Sequence, residues 1–150
     1  QIETPCTLPL GQFRFNWHNK NITLFAIHAP PPVPACKGTT SIYLKSIADW
    51  SIEGNLSSDL GVGKAGDHLI LAGDFNSLPF DSGIEKLRSK QLQDNYSKSS
   101  FTSPTWSPFK GFPYIAKIDY ILFSSHFKHI NSYRFKIDNS DHTAIMTDLT

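Results

Sequence analysis

The sequence predicts an α/β fold. Along the chain, short strands precede, separate and follow two helices. Two apolar runs, residues 13–17 and 22–28, are joined by polar residues typical of a hairpin turn. After Thr39, apolar side chains recur at helical spacing, and the chain ends in three strand-like runs. A chain of 150 residues with 39% hydrophobic content can bury a core of ordinary size. We therefore expect one domain over residues 1–150.

Local signals place the individual elements. Four prolines within residues 29–34 cannot donate to a sheet, so strand pairing should end at His28. The helix after Thr39 is amphipathic, with Tyr43, Leu44 and Ile47 on its apolar side. The remaining predictions are an exposed connection at 54–67, a buried strand at 68–72, a short helix within 80–90, a long surface loop at 91–111, and strands at 118–123, 132–137 and 144–149.

Bulk charge and apolar runs limit the classes of function. Fourteen Lys and Arg against 13 Asp and Glu give a net charge of +1, which provides no broad basic field for a nucleic-acid backbone. No run reaches the ~18 apolar residues of a membrane span, and residues 1–10 lack the pattern of a signal peptide. The chain begins without Met, and we expect residues upstream of it. Localisation stays open, with a membrane-anchored or exported whole protein among the alternatives.

The two cysteines leave two interpretations open. Cys6 and Cys36 pair if the segment before the first strand folds back on the loop after the hairpin. Otherwise they are two buried thiols, because two cysteines do not make a disulfide framework. The sequence does not decide between these alternatives.

Several acidic, amide and imidazole residues each lie at a point where a predicted strand meets a loop. The sheet holds such residues while their side chains point outward, so several strand ends can converge on one site. Each also has a structural interpretation: a turn, a cap, a satisfied core histidine, or a carboxylate paired within an apolar run. The candidates are His28, Asp74, Asn76, Asp119, Asp141 and His142.

Three motifs carry a resemblance to a known family. Residues 73–76 (Gly-Asp-Phe-Asn), 117–122 (Lys-Ile-Asp-Tyr-Ile-Leu) and 140–142 (Ser-Asp-His) resemble, in order and spacing, the endonuclease/exonuclease/phosphatase superfamily of deoxyribonuclease-like enzymes. The resemblance runs from about residue 13 to residue 149. It implies a four-layered α/β sandwich of two packed mixed sheets flanked by helices, and it implies that this chain is the C-terminal part of the domain. The implied activity is metal-dependent hydrolysis of a phosphodiester or phosphomonoester.

The resemblance also assigns catalytic roles, motif by motif. His142 is expected to be the general base or a phosphate-binding imidazolium, with Asp119 holding its orientation. Asp74 is expected to orient or deprotonate the attacking water. His28 and Asn76 are expected to donate to phosphoryl oxygens.

Two further residues complete the expected site. Asp141 is expected to bind Mg²⁺ or Mn²⁺ through its carboxylate oxygens. Trp106, in the predicted long loop, is a candidate for substrate contact, although it is equally suited to packing. The substrate class stays open among nucleic acid, phospholipid and a small phosphate ester.

The sequence departs from the family pattern upstream. In the family, an Asn on the first strand and a metal-binding Glu precede all the motifs found here, and residues before Phe13 offer no room for them. The sandwich is therefore expected to be incomplete at its N-terminus. A second hypothesis follows: a catalytically silent or truncated domain that binds a phosphate-bearing partner, or that self-associates through exposed sheet edges.

Overall fold

The computed structural model describes residues 6, 10–53, 68–95, 103–109 and 111–150. The predicted connection at 54–67 lies outside these residues. The elements, in chain order, are β1 (Gly11–Trp17), β2 (Lys20–His28), a 3₁₀ turn (Pro34–Cys36), α1 (Thr39–Glu53), β3 (His68–Asp74), α2 (Ser82–Ser89), β4 (Gln93–Asp94), β5 (Asp119–Phe123), β6 (His129–Lys136) and β7 (Thr143–Leu149). The predicted hairpin, both helices and the three late strands are confirmed.

The main sheet has five strands in the order β1-β2-β3-β5-β4. β1 and β2 form an antiparallel hairpin, and its turn residues His18 and Asn19 both have positive φ. β2 and β3 are parallel, whereas β3 and β5 are antiparallel. This register places His28 opposite Asp74, and Asp74 opposite Asp119. Three of the polar residues singled out in the sequence therefore lie in a row across one end of the sheet.

Each face of this sheet carries its own hydrophobic cluster. On one face, sheet residues such as Phe25 and Leu71 are buried together with Leu44 of α1 and Leu87 of α2. The second cluster contains Ile22, Phe123 and Phe127, with Ile70, Ile121 and Leu149 packed against it. Because Leu149 belongs to β7, the antiparallel β6–β7 pair packs against the side opposite the helices. The predicted α/β sandwich of two sheets with flanking helices is confirmed.

The segment predicted as a long surface loop is more ordered than expected. It contains β4, which pairs with β5, and Thr105, whose side chain is fully buried. The buried Thr105 hydroxyl finds its partners at the start of β5, in the backbone N–H groups of Ile118 and Asp119. Residues 96–102 and 110 of this segment lie outside the described residues.

The structure also settles the cysteine alternative. Cys6 and Cys36 form a disulfide, with their Cα atoms 5.7 Å apart. This bond ties the segment before β1 to the 3₁₀ turn after β2, as the first of the two interpretations required. Among the described helices, neither is long and apolar enough to span a membrane.

Candidate active site

The candidate site lies where β2, β3 and β5 meet at one end of the sheet. His28 ends β2 and is largely exposed, and its Nε2 lies 3.9 Å from a carboxylate oxygen of Asp74 at the end of β3. Asp119 begins β5 directly opposite Asp74. A backbone hydrogen bond also joins these two strand ends, because Ala29 N donates to Asp74 O. The sheet register thus fixes the spacing of an imidazole and two carboxylates.

Asp119 and His142 are joined by a direct side-chain contact. The Nδ1 atom of His142 lies 3.0 Å from one carboxylate oxygen of Asp119 and 3.3 Å from the other. An ionised carboxylate can only accept, so this contact places the proton on Nδ1 and leaves Nε2 for another partner. The partner that Asp119 needed within its apolar strand is therefore a histidine from 23 residues further along the chain.

Asp74 is held by the turn that follows β3. Its carboxylate accepts from the backbone N–H of Asn76 at 2.8 Å, and Asn76 has a φ of 47°. The side-chain amide of Asn76 donates to Ala29 O at 2.8 Å, so one amide hydrogen is already used by the protein. Burial raises the pKa of Asp74, and the nearby negative charge of Asp119 adds to this, against the lowering effect of the Asn76 N–H.

The carboxylates suit a hard divalent cation. Asp74, Asp119 and His142 each offer one atom, and these atoms all lie within 4.8 Å of one another. Two carboxylates are a usual protein contribution to a Mg²⁺ site and also suit Mn²⁺, while an imidazole is better suited to Zn²⁺. Asp141, the residue expected to hold the metal, lies outside this group, and its carboxylate accepts from the Trp106 indole N–H at 3.2 Å.

Comparison with known proteins places this arrangement in a family. The model of the Endonuclease/Exonuclease/phosphatase family matches residues 15–142. The chain belongs to this family. The match contains every strand end that forms the site, from His28 to His142. A search of curated proteins found no match.

Solved structures share the fold at low sequence identity. An endonuclease/exonuclease/phosphatase family protein from Leptotrichia buccalis is 20% identical, with a TM-score of 0.63, over 94% of this chain and 53% of that one. The mannosyl-6-phosphatase Bt3783 of Bacteroides thetaiotaomicron is 18% identical, with a TM-score of 0.61. The likeness covers 94% of this chain and 56% of that phosphatase.

A third similar structure contains a bound ligand and ion. This is the inositol polyphosphate 5-phosphatase domain of synaptojanin, in complex with inositol (1,4)-bisphosphate and calcium ion. It is 14% identical, with a TM-score of 0.60, and the likeness covers 92% of this chain and 49% of that domain. The chain spans about half the length of these structures. At these identities the likeness shows the fold alone.

Thr105 connects the two strand ends that carry Asp119 and His142. Its hydroxyl oxygen accepts from the N–H groups of Ile118 and Asp119, both at 3.1 Å. Its carbonyl accepts from Thr143 N at 2.8 Å, directly after His142. Thr105 therefore fixes the backbone beside both partners. The sequence offered one signal for it, a small hydroxyl residue preceding Trp106, and that signal did not identify its role.

We expect Thr105→Val to lower the free energy of unfolding by about 1–3 kcal/mol, because it leaves two backbone N–H groups without an acceptor at constant side-chain shape. Thr105→Ser keeps the hydroxyl and should cost only about 0.8 kcal/mol for the lost methyl group. Urea denaturation of the three proteins measures both values. Equal losses in Val and Ser would show that the hydroxyl does not hold the strand ends.

A buried network of ion pairs, formed by Lys117, Asp94 and Arg88, also stabilises the start of β5. Lys117 has no exposed side-chain surface, and its Nζ donates to both carboxylate oxygens of Asp94 at 2.9 and 2.7 Å. Asp94 also accepts from Arg88 of α2 at 2.9 Å. Burial lowers the pKa of Lys117, and the Asp94 carboxylate opposes that shift. Because Lys117 is two residues before Asp119, the network anchors the start of the strand that carries Asp119.

The Asp74 carboxylate should destabilise the fold at neutral pH. Its folded pKa lies above 3.8, so ionisation costs stability at neutral pH, and this cost disappears as pH falls through the folded pKa and below 3.8. We expect Asp74→Asn to stabilise the fold by about 0.5–2 kcal/mol at pH 7 in metal-free buffer. The gain should vanish in acid.

Thermal unfolding of the Asp74→Asn variant at pH 7 and below pH 3.8 measures this difference. The matched control is Asp138→Asn, which neutralises an exposed carboxylate in the β6–β7 turn and should leave the melting temperature unchanged. A stabilisation of equal size at both pH values would contradict the electrostatic origin of the effect.

Proposed function

We propose that this domain is a metal-dependent phosphoric ester hydrolase, or the part of one that carries its acid–base residues. The observation that carries the proposal is the Asp119–His142 pair, with Asp74 next to it on the adjoining strand. A carboxylate that fixes the tautomer of an imidazole is the arrangement by which a histidine moves protons in hydrolysis. The family to which the chain belongs supplies the reaction class.

His142 is the proposed proton carrier. With Nδ1 bonded to Asp119, its Nε2 can accept a proton from a water molecule or contact a phosphoryl oxygen. Asp119 keeps the ring in one orientation and stabilises the imidazolium that forms. Asp74 orients the attacking water through the carboxylate oxygen that the Asn76 N–H does not use.

Two neighbouring residues are proposed to bind the phosphoryl group. His28 is exposed beside Asp74, and its ring N–H can donate to a phosphoryl oxygen. Asn76 has one amide hydrogen bonded to Ala29 O, so its other hydrogen is the proposed donor. Trp106 remains a proposed substrate contact through its ring, since its indole N–H is bonded to Asp141.

The proposed cofactor is Mg²⁺ or Mn²⁺. A bound divalent cation would neutralise charge that develops on the phosphoryl oxygens and lower the pKa of a bound water. The carboxylates of Asp74 and Asp119, which lie close together at the site, offer oxygen donors, and Asp141 is the metal ligand expected from the sequence. Titration of Mg²⁺ and Mn²⁺ into the chain by calorimetry, with Asp74→Asn and Asp141→Ala as variants, assigns the ligand by the substitution that abolishes binding.

Hydrolysis of bis(p-nitrophenyl) phosphate and p-nitrophenyl phosphate tests the activity. We expect release of p-nitrophenol with Mg²⁺ or Mn²⁺ and none with EDTA. Activity that persists in EDTA would overturn the metal dependence. No turnover of either ester, together with no saturable metal binding, would overturn the proposed function for this chain.

A second candidate function is favoured by the exposed edge of the sheet. β1 is the edge strand beside β2, and it exposes Phe13, Phe15 and Trp17 to solvent. An edge strand with exposed aromatic side chains is suited to pairing with another chain. A silent, assembling domain would elute as a dimer and show no metal-dependent turnover, whereas the enzyme hypothesis requires turnover in either state.

We also propose that the protein works in an oxidising compartment, as an exported or membrane-anchored protein. The Cys6–Cys36 disulfide supports this, because such bonds are rare where thiols are kept reduced. Mass spectrometry of the protein from its native source should show both cysteines blocked. Two free thiols there would contradict the proposal.

A further inference from the structure

The backbone of Trp106 lies between the two chain segments that carry Asp119 and His142. On one side, Trp106 N donates to Ala116 O at 2.9 Å, and Ile115 N donates to Trp106 O at 2.9 Å. On the other side, Trp106 is paired in an isolated antiparallel β-bridge with His142. A displacement of this one residue would therefore act on both members of the pair.

The main chain on either side of His142 is bonded to the residues that flank this tryptophan. After the histidine, Thr143 N donates to Thr105 O at 2.8 Å. Before it, Ser107 N donates to Asp141 O at 2.9 Å. The same short segment therefore fixes the backbone both before and after the imidazole.

The Trp106 side chain adds a bond on the exposed side of His142. Its indole N–H donates to the Asp141 carboxylate at 3.2 Å. Hydrogen bonds to an ionised acceptor are stronger than bonds between neutral groups. Asp141 is exposed and belongs to the turn between β6 and β7, in which Asn139 has a φ of 65°. The indole thus ties an exposed turn to the segment that holds both strand ends.

The contact between His142 and Asp119 tolerates little displacement. The His142 Nδ1 atom lies 3.0 and 3.3 Å from the two carboxylate oxygens of Asp119. A shift of about 0.5 Å would carry even the shorter contact beyond the usual hydrogen-bond distance. Asp119 is held by its sheet partner Asp74, whereas His142 precedes β7 at the end of a turn. The histidine is therefore the member of the pair that depends on positioning from outside the sheet.

We infer that Trp106 is a positioning residue: by holding Asp141, its indole N–H keeps the ring of His142 against Asp119. This role is separate from the proposed substrate contact, which uses the face of the tryptophan ring. The bond that one imidazole nitrogen makes fixes the tautomer of the ring, so His142 should carry its proton on Nδ1 while the indole bond is intact. The kinetic consequence rests on the proposed function, whereas the effect on the tautomer does not.

Long-range ¹H–¹⁵N NMR of the histidine rings in the full 150-residue chain tests the inference. In buffer of about pH 9, where ordinary imidazoles are neutral, the ring ¹⁵N shifts show which nitrogen carries the proton. The spectrum of His142→Ala assigns the signals of this ring. We expect the Nδ1–H tautomer in the parent protein and a mixture of both tautomers in Trp106→Phe, because phenylalanine keeps an aromatic ring but has no N–H donor.

Asp141→Ala removes the same bond from the acceptor side, and because Asp141 is exposed the fold should survive even if Trp106→Phe is unstable. It should give the same mixture of tautomers. The two substitutions combined should give no further change, since each removes the one shared bond. Trp17→Phe is the matched control: the same substitution is made at a residue that is 62% exposed on β1, and the tautomer should not change.

For ester hydrolysis, Trp106→Phe should lower kcat about 10- to 100-fold with KM nearly unchanged, the effect of a small misplacement of a reacting group. Retention of the Nδ1–H tautomer in both single variants would overturn the inference, as would an equal change in Trp17→Phe. A parent protein with the His142 proton on Nε2 would overturn both the inference and the proposed proton carrier. The expected tautomer change without ester turnover would refute the proposed function alone, and turnover with an unchanged tautomer in both variants would refute this inference alone.

Discussion

His142→Ala should lower the rate of metal-dependent phosphoester hydrolysis by about 100- to 10,000-fold, the usual contribution of a positioned acid–base residue. The substitution removes the imidazole whose Nδ1 contacts Asp119 at 3.0 Å, and with it the proposed proton carrier. Because His142 is partly exposed, the fold should survive the change. Initial rates with bis(p-nitrophenyl) phosphate, together with far-UV circular dichroism, measure both effects.

His18→Ala provides the matched control. His18 lies in the β1–β2 turn, at the opposite end of β2 from His28, so its loss should leave the rate unchanged. Asp119→Asn should give an intermediate loss, since an amide can place the ring in the wrong tautomer while keeping its position. A His142→Ala variant as active as the parent protein would show that another residue carries the proton.

Gly73→Ala should abolish or severely weaken folding, with a loss above about 4 kcal/mol, a size seen only for severe steric or burial defects. Gly73 has a φ of 140°, and a Cβ atom there would lie 1.9 Å from the carbonyl oxygen of Ile27. That oxygen belongs to the backbone of β2, which is paired with β3 and cannot move aside. Relief of the clash requires separating β2 from β3, where His28 and Asp74 meet.

Gly111→Ala separates the steric clash from backbone strain. Gly111 also has a positive φ, of 82°, but a Cβ there would meet no heavy atom of the described residues within 4 Å. This control should therefore cost only about 1–2 kcal/mol, the strain of a side chain in the left-handed region. Soluble yield and urea denaturation compare the variants, and equal behaviour of the two would contradict a clash between β2 and β3.

Local patterns were sufficient to predict most of the elements. Alternating apolar runs around a polar turn predicted the β1–β2 hairpin, and the prolines after His28 predicted the end of β2, which the structure confirms. Both signals act through neighbouring residues, because proline lacks a donor and turn residues tolerate positive φ. The same reasoning placed Asp74 at the end of a buried strand and Asp119 in a strand where it needed a partner.

The partners of the buried polar groups could not be predicted in this way. Lys117 bonds to Asp94 across 23 residues, and Thr143 bonds to Thr105 across 38. Neither separation follows from the period of a helix or a strand, since each depends on the path of the segment between. The predicted surface loop therefore contained Thr105, a buried connection between two strands of the site.

The sequence by itself determined both helices and every described strand except β4, the strand-end positions of the candidate residues, and, through three motifs, the family. The tertiary structure alone decided which of those residues meet. It paired His142 with Asp119 and Cys6 with Cys36, and it grouped Asp74 with the first pair while leaving Asp141 beside Trp106. The physical reason is that periodicity is set by neighbours along the chain, whereas side-chain contacts are set by sheet register and loop path.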